Sequence, residues 1–166
     1  MHPKVRSLVK HHALQPHPEG GFFREHYRSP LRLSRRALPR QYPGPRHAVT
    51  SILYLLPAGT VSRWHRITSD EIWHYHLGGP LQLCEISPAG KPKCTLIGPD
   101  VRRHQTLQHV VPGQSWFAAK PATNTGFSLV GCVVAPGFEF EDFELAKAGM
   151  LVRKYPKLRK LIEQYQ

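Results

Sequence analysis

The chain has 166 residues, 40% of them hydrophobic, and a formal charge of +12. That length fits one domain, 1–166, with apolar side chain enough for a single core. No apolar run approaches the roughly 18 residues of a membrane span, and the basic N-terminus lacks a signal-peptide core, so a soluble cytoplasmic protein with no membrane partner is expected.

Sixteen prolines and thirteen glycines, spread along the whole length, describe short elements joined by tight turns and lean towards an all-β fold. Cys84, Cys94 and Cys132 are odd in number and lack CxxC spacing, which predicts reduced thiols and neither a disulfide framework nor structural zinc. The charge is polarised. Seven arginines lie between Arg24 and Arg46, and four of the eleven acids lie between Glu139 and Glu144.

In chain order, Val5, Leu8 and Val9 predict a short helix over 3–13 that ends before Pro16. "PEGG" reads as a turn, and "GFFREHYRS" as a strand carrying β-formers on both faces. "RSPLRLSRRALPRQYPGPRH", Arg28 to His47, has four prolines, six arginines and no acid, and predicts a long exposed loop, or else a lid over an anionic ligand. The strand-length runs "VTSILYLL", "EIWHYHL", "LQLCEIS", "KCTLIG", "QHVV", "SWFAAK" and "GFSLVGCVV" follow, each closed by a turn, as in a sandwich or small barrel. "FEFEDFE" predicts an amphipathic edge strand that also neutralises the arginines. Leu158, Leu161, Ile162 and Tyr165 fit one face of a C-terminal helix over about 145–165.

The stretch "SRWHRITSDEIWHYHLGG", Ser62 to Gly79, gathers His65, His74 and His76 around Asp70 and Glu71. His65 precedes a turn and Glu71 follows it, so the two can meet. Strand alternation puts Glu71, Trp73, Tyr75 and Leu77 on one face and Ile72, His74 and His76 on the other.

Gly59, His65, Ile67, Glu71 and Gly78 have the spacing of the first motif of the cupin superfamily, with Ile67 at its second histidine position. "VVPGQSWFAAKPATN" matches the second motif loosely, and Phe117 stands at its histidine. The blocks "EGGFFREHYRS", "TSILYLL", "HRITSDEIWHYHLG", "VVPGQSWFAA" and "VAPGFEFEDFELA" together resemble a cupin branch known mainly as a domain of unknown function. The resemblance implies a cupin-type jelly roll, or double-stranded β-helix barrel, over about 20–140, with short terminal helices, a pocket in the barrel and a homodimer. It supplies no settled activity.

The expected activity is small-molecule binding in a pocket for a polar, anionic ligand such as a sugar phosphate or nucleotide sugar. If catalytic, the chain would be a metal-independent isomerase or epimerase, with His65 as base, Glu71 as its orienter and Tyr75 as acid. Arg24, Arg66, Trp73, His74 and Trp116 are the candidate ligand-binding residues. The alternatives are a metal-dependent oxygenase or isomerase using His65 and Glu71 as ligands of a divalent ion, and a binding protein without catalysis. No cofactor is required by this reading. The arginine-rich segment lacks the interleaved aromatics of a single-strand binder, so nucleic acid is not an expected partner.

Overall fold

The computed structural model describes residues 2–122, 126–147 and 149–166. Helix α1 (Pro3–His11) starts with proline at its first position and with His2 Nδ1 accepting from the Lys4 N–H at 3.2 Å. The strands in chain order are β1 (Gln15–Pro16), β2 (Phe22–Arg28), β3 (Arg32–Leu33), β4 (Arg46–His47), β5 (Thr50–Pro57), β6 (Ser62–Arg66), β7 (Asp70–Gly78), β8 (Leu81–Ile86), β9 (Pro92–Ile97), β10 (Gln108–Val111), β11 (Trp116–Pro121), β12 (Phe127–Ala135) and β13 (Glu144–Leu145). They form a six-stranded sheet in the order β1-β2-β5-β12-β7-β10, a five-stranded sheet in the order β13-β6-β11-β8-β9, and a small β3-β4 ribbon.

Alternation along each strand divides the apolar side chains into three cores. Tyr54, Leu56, Trp73, Leu83, Phe117 and Val130 point between the two sheets. On the outside of the six-stranded sheet, Leu55, Phe127 and Leu129 pack against Val5 of α1. On the outside of the five-stranded sheet, Trp64, Ile86 and Trp116 pack against Leu151, Ile162 and Tyr165. Both sheets therefore have one face turned to the common interior and one to a terminal helical segment.

Several expectations are corrected. The C-terminal helix is broken into α2 (Met150–Lys154) and α3 (Arg159–Ile162) with 3-10 turns at Pro156–Leu158 and Glu163–Tyr165. Pro156 cannot donate to the preceding turn and forces Tyr155 out of helical conformation, at φ −130°. The segment after Arg28 is mostly exposed loop, as expected, broken by the β3-β4 ribbon and a 3-10 turn at Arg35–Ala37, but Leu38, Tyr42 and Arg46 are buried. Two of its six arginines meet the acidic run within the chain, Arg28 with Glu139 and Arg46 with Glu141 and Asp142. That run is a 3-10 turn over Phe140–Asp142 followed by the two-residue β13, not one edge strand.

Cys84 and Cys94 form a disulfide, contrary to the expected reduced thiols, and Cys132 is free and buried. The pairing follows from the β8–β9 hairpin, whose register sets the two cysteines opposite each other. No helix of the described residues is long and apolar enough to cross a membrane.

Candidate functional site

His65 lies on β6, before the turn at 67–69 and in the five-stranded sheet, and Glu71 lies after it on β7 in the six-stranded sheet. Both side chains point inward and are buried. They face each other across the barrel, brought together by the short connection 67–69.

The direct partner of His65 is Glu19, which sequence reasoning left inside a turn. His65 Nε2 is 3.0 Å from Glu19 Oε2, and Nδ1 is 2.7 Å from the Arg63 carbonyl oxygen. The turn carrying Glu19 is pressed onto β6. Gly20 has φ +123°, and a Cβ there would collide with the Val61 carbonyl oxygen. The Arg63 N–H donates to the Glu19 carbonyl at 3.0 Å, and the Tyr54 hydroxyl donates to the Gly20 carbonyl at 2.8 Å. The Ser62 hydroxyl donates to Glu19 Oε1 at 2.9 Å.

These contacts constrain where the protons lie. A carbonyl oxygen only accepts, so Nδ1 of His65 carries hydrogen. A carboxylate oxygen facing Nε2 at hydrogen-bond distance needs a second hydrogen between them. The raised His65 pKa and the lowered Glu19 pKa favour placing both hydrogens on the imidazole, an imidazolium held by a carboxylate. Burial opposes the charged imidazole, but the charge and hydrogen bond of Glu19, with smaller help from Glu71 and the Arg63 carbonyl, outweigh it and raise the His65 pKa. Burial likewise opposes ionised Glu19, and His65, His17 and Ser62 overcome it, leaving the Glu19 pKa lowered.

The stability contributed by His65 is complete below 6.5 and lost as pH rises through its raised pKa. That of Glu19 is complete above 4.5 and lost as pH falls through its lowered one. The pair is thus most stabilising between those two values. Glu19→Gln removes the largest support of the imidazolium, and the His65 pKa is expected to fall below 6.5, read from its ring protons by NMR titration. A value still above 6.5 would contradict the pairing.

Glu71 stands in the opposite condition. Burial lifts its carboxyl to about 7, the Glu19 charge adds to the rise, and His65 and a hydrogen bond from the Cys132 thiol oppose it. Burial, followed by the Glu71 charge, pushes the Cys132 thiol far above its ordinary value. The neighbouring His17 is shifted away from its charged form. Burial lowers its pKa, His65 adds to the fall and Glu19 counters in part.

His17, Glu19, His65, Glu71 and Cys132 line a cavity of about 90 Å3, whose remaining wall is mostly apolar: Phe23, Ile52, Ile67, Val134, Phe138 and Phe143. Arg28 is the arginine of the lining. Its Nε and Nη2 donate to Glu25 at 3.0 and 2.8 Å, its Nη1 to Glu139 at 2.6 Å, and its Nη2 also to the Phe138 carbonyl at 3.2 Å.

The other sequence candidates lie outside this lining. Tyr75 is on the Glu71 face, but Trp73, 1% exposed, fills the interior between them. Four residues of strand span about 13 Å, and the Tyr75 hydroxyl donates to the Gly78 carbonyl at 2.7 Å. Trp73 is a core residue. Arg24 faces outward from β2 and donates to the His12 carbonyl at 3.1 Å. Arg66 and Trp116 each neighbour an inward residue and so face outward. Arg66 pairs with Glu144 at 2.6 Å and stacks 4.8 Å over the Trp116 ring. His74 is on the outer face of β7, beside Gly131 of β12. The only hint of Glu19 and His17 in the sequence was an acid and a histidine preceding two glycines, a pattern that also describes any turn.

A cupin metal centre would need donors from the positions of Ile67 and Phe117, which are hydrocarbon. His65 Nε2 is already turned to Glu19. No group of three or more His, Cys, Asp or Glu side chains among the described residues is arranged to hold a metal ion. The donor set does not fit such a centre.

Two sheets closed around an inward-facing polar cluster define a double-stranded β-helix of the cupin type. The chain belongs to the cupin superfamily family DUF985, whose model matches residues 6–146. It is 31% identical over 152 residues to an uncharacterized protein of Saccharomyces cerevisiae, covering 86% of this chain and 75% of the relative. A hypothetical protein from Leishmania major superposes with TM-score 0.86 at 34% identity, over 96% of each chain. A protein from Shewanella oneidensis does so with TM-score 0.85 at 36% identity, over 96% of this chain and 95% of that one. Oxalate decarboxylase from Bacillus subtilis shares the fold alone, with TM-score 0.55 and 12% identity over 91% of this chain and 36% of that one.

Proposed function

We propose that this cupin binds a compact small molecule in the barrel cavity and moves a proton on it, as an isomerase or epimerase does. The observation that carries this reading is the pair of environments on either side of the cavity. Glu71, buried with a pKa of about 7, is poised to take and return a proton near neutral pH, while His65 is locked as a cation by Glu19. The roles in this reading differ from those expected from sequence: Glu71, expected as the orienter, is the acid/base, and His65, expected as the base, supplies a fixed positive charge where negative charge develops on the ligand.

An anionic sugar phosphate is poorly served by this wall. Arg28 already has its donors on Glu25, Glu139 and Phe138, and Arg24 and Arg66 face away. A neutral carbon acid suits it better. The test is incubation of the untagged chain in deuterium oxide with ketones, ketoses, sugar phosphates and nucleotide sugars, followed by proton NMR. Loss of a C–H signal beside a carbonyl in at least one neutral compound is expected. Compounds that bind without any exchange would leave a ligand-binding protein and overturn the catalytic reading.

A further inference from the structure

His17 takes no part in the proton-transfer pair, yet it lines the same cavity and its side chain is only 9% exposed. Its Nδ1 accepts the backbone N–H of Glu19 at 3.3 Å and lies farther, 3.7 Å, from Glu19 Oε2; with the first contact made, the neutral ring carries its hydrogen on Nε2. Nε2 has no hydrogen-bond partner among the described residues. The ring is not free to turn away. It stands edge-on to Phe23 at 4.5 Å, to Tyr54 at 5.6 Å and to Phe143 at 6.4 Å between centroids. An N–H fixed in orientation on a cavity wall, with no partner among the described residues, is a specificity element for whatever supplies the acceptor.

The neighbours restrict that acceptor. The cations of the lining already have anionic partners, His65 on Glu19 and Arg28 on Glu25 and Glu139, so an incoming anion finds no unpaired cation among the described residues, whereas a neutral oxygen needs none. The apolar walls from Phe23, Ile52, Val134 and Phe138 ask for a hydrocarbon body behind that oxygen. A cavity of about 90 Å3 is smaller than the ~150 Å3 that encloses benzene, so only a few heavy atoms fit inside.

We propose that His17 is the ligand-anchoring residue of this site: its Nε2–H donates to the carbonyl oxygen of a small neutral ketone or aldehyde whose apolar part rests on the phenylalanine wall. The proposal rests on the proton-transfer reading for its significance, since polarising that carbonyl would acidify the adjacent C–H for Glu71. The hydrogen bond itself is testable without turnover.

The probes are acetone, butanone and cyclobutanone added to the full chain, with binding followed by NMR and the bound C=O stretch by infrared difference spectroscopy. Binding with a downshifted stretch is expected, together with nitrogen-15 shifts that show His17 neutral and protonated at Nε2. His17→Asn keeps an oxygen near the Nδ1 position to accept from Glu19 and loses the distal donor. It should weaken binding at least tenfold and abolish the downshift. His17→Gln places an amide N–H near the Nε2 position and should recover part of both.

Unchanged affinity and stretch in His17→Asn would overturn the anchor, as would a His17 ring protonated on Nδ1 alone. Failure of all three ketones to bind the wild-type chain would overturn the ligand class. In each variant the Glu71 carboxyl is titrated in parallel. His17 is not among the groups that shift Glu71, so a titration near neutrality alongside lost binding isolates the anchor from the proton-transfer reading.

Discussion

Replacing Arg46 with alanine is expected to lower the unfolding free energy by about 3–5 kcal/mol, the loss typical when one partner of a buried ion pair is removed. Arg46 is 1% exposed. Its Nε and Nη2 donate to the two carboxylate oxygens of Asp142 at 2.6 and 2.7 Å, and its Nη1 reaches the Pro45 carbonyl and Glu141, each at 2.8 Å. The guanidinium also lies 5.7 Å from the Tyr42 ring centre. Without it, Asp142, whose side chain is 3% exposed, is left as an uncompensated buried charge.

Urea unfolding of Arg46→Ala measures the loss. The double variant Arg46→Met, Asp142→Leu should recover most of it, because the apolar pair leaves no charge unpaired. Arg46→Lys should fall between, since an ammonium cannot span both oxygens. A loss below about 1 kcal/mol, the range of exposed pairs, would show that the pair is solvated in solution. The contact matters beyond stability: together with Arg28–Glu139 it anchors the segment that presents Phe138, Phe140 and Phe143 to the cavity.

The second large effect is expected at Glu71. Its folded-state pKa lies above the unfolded value, so the folded chain holds the extra proton between 4.5 and about 7, and stability falls as pH rises through that window. A rise of that size corresponds to about 3 kcal/mol across the window, to order of magnitude. Glu71→Gln removes the titration. The variant should match the wild type below pH 4.5 and exceed its stability above pH 7, while any ligand C–H exchange falls by about 10²–10⁴. Urea midpoints measured from pH 4 to 9 give the first comparison and deuterium exchange the second. Parallel stability curves for the two chains would remove the basis for Glu71 as the acid/base.

The all-β architecture was legible in the sequence because strand-length β-branched runs alternate with Pro/Gly turns, and the cupin blocks run through most of the chain. Part of the site was legible too. Strand alternation put Glu71 on the inward face of β7, and the motif spacing singled out His65. The same alternation, applied to Arg66 beside His65 and to Trp116 beside Phe117, would have turned both outward. What was missing depends on contacts distant in sequence. Glu19 meets His65 across 46 positions of chain, and nothing local in "PEGG" separates a functional acid from an ordinary turn. Arg46 reads as one more solvated arginine of that segment until Asp142, 96 positions away, is packed against it. Cys84 and Cys94 were within reach: both flank the "PAG" turn of one hairpin, and counting outward from the turn pairs them.

Carbon-13 NMR titration of the Glu71 side-chain carboxyl in the ligand-free chain tests the central claim most directly. The buried position beside Glu19, His65 and Cys132 predicts a midpoint of about 7. A midpoint at the ordinary 4.5 would contradict it and leave the cavity without a group poised for proton transfer at neutral pH.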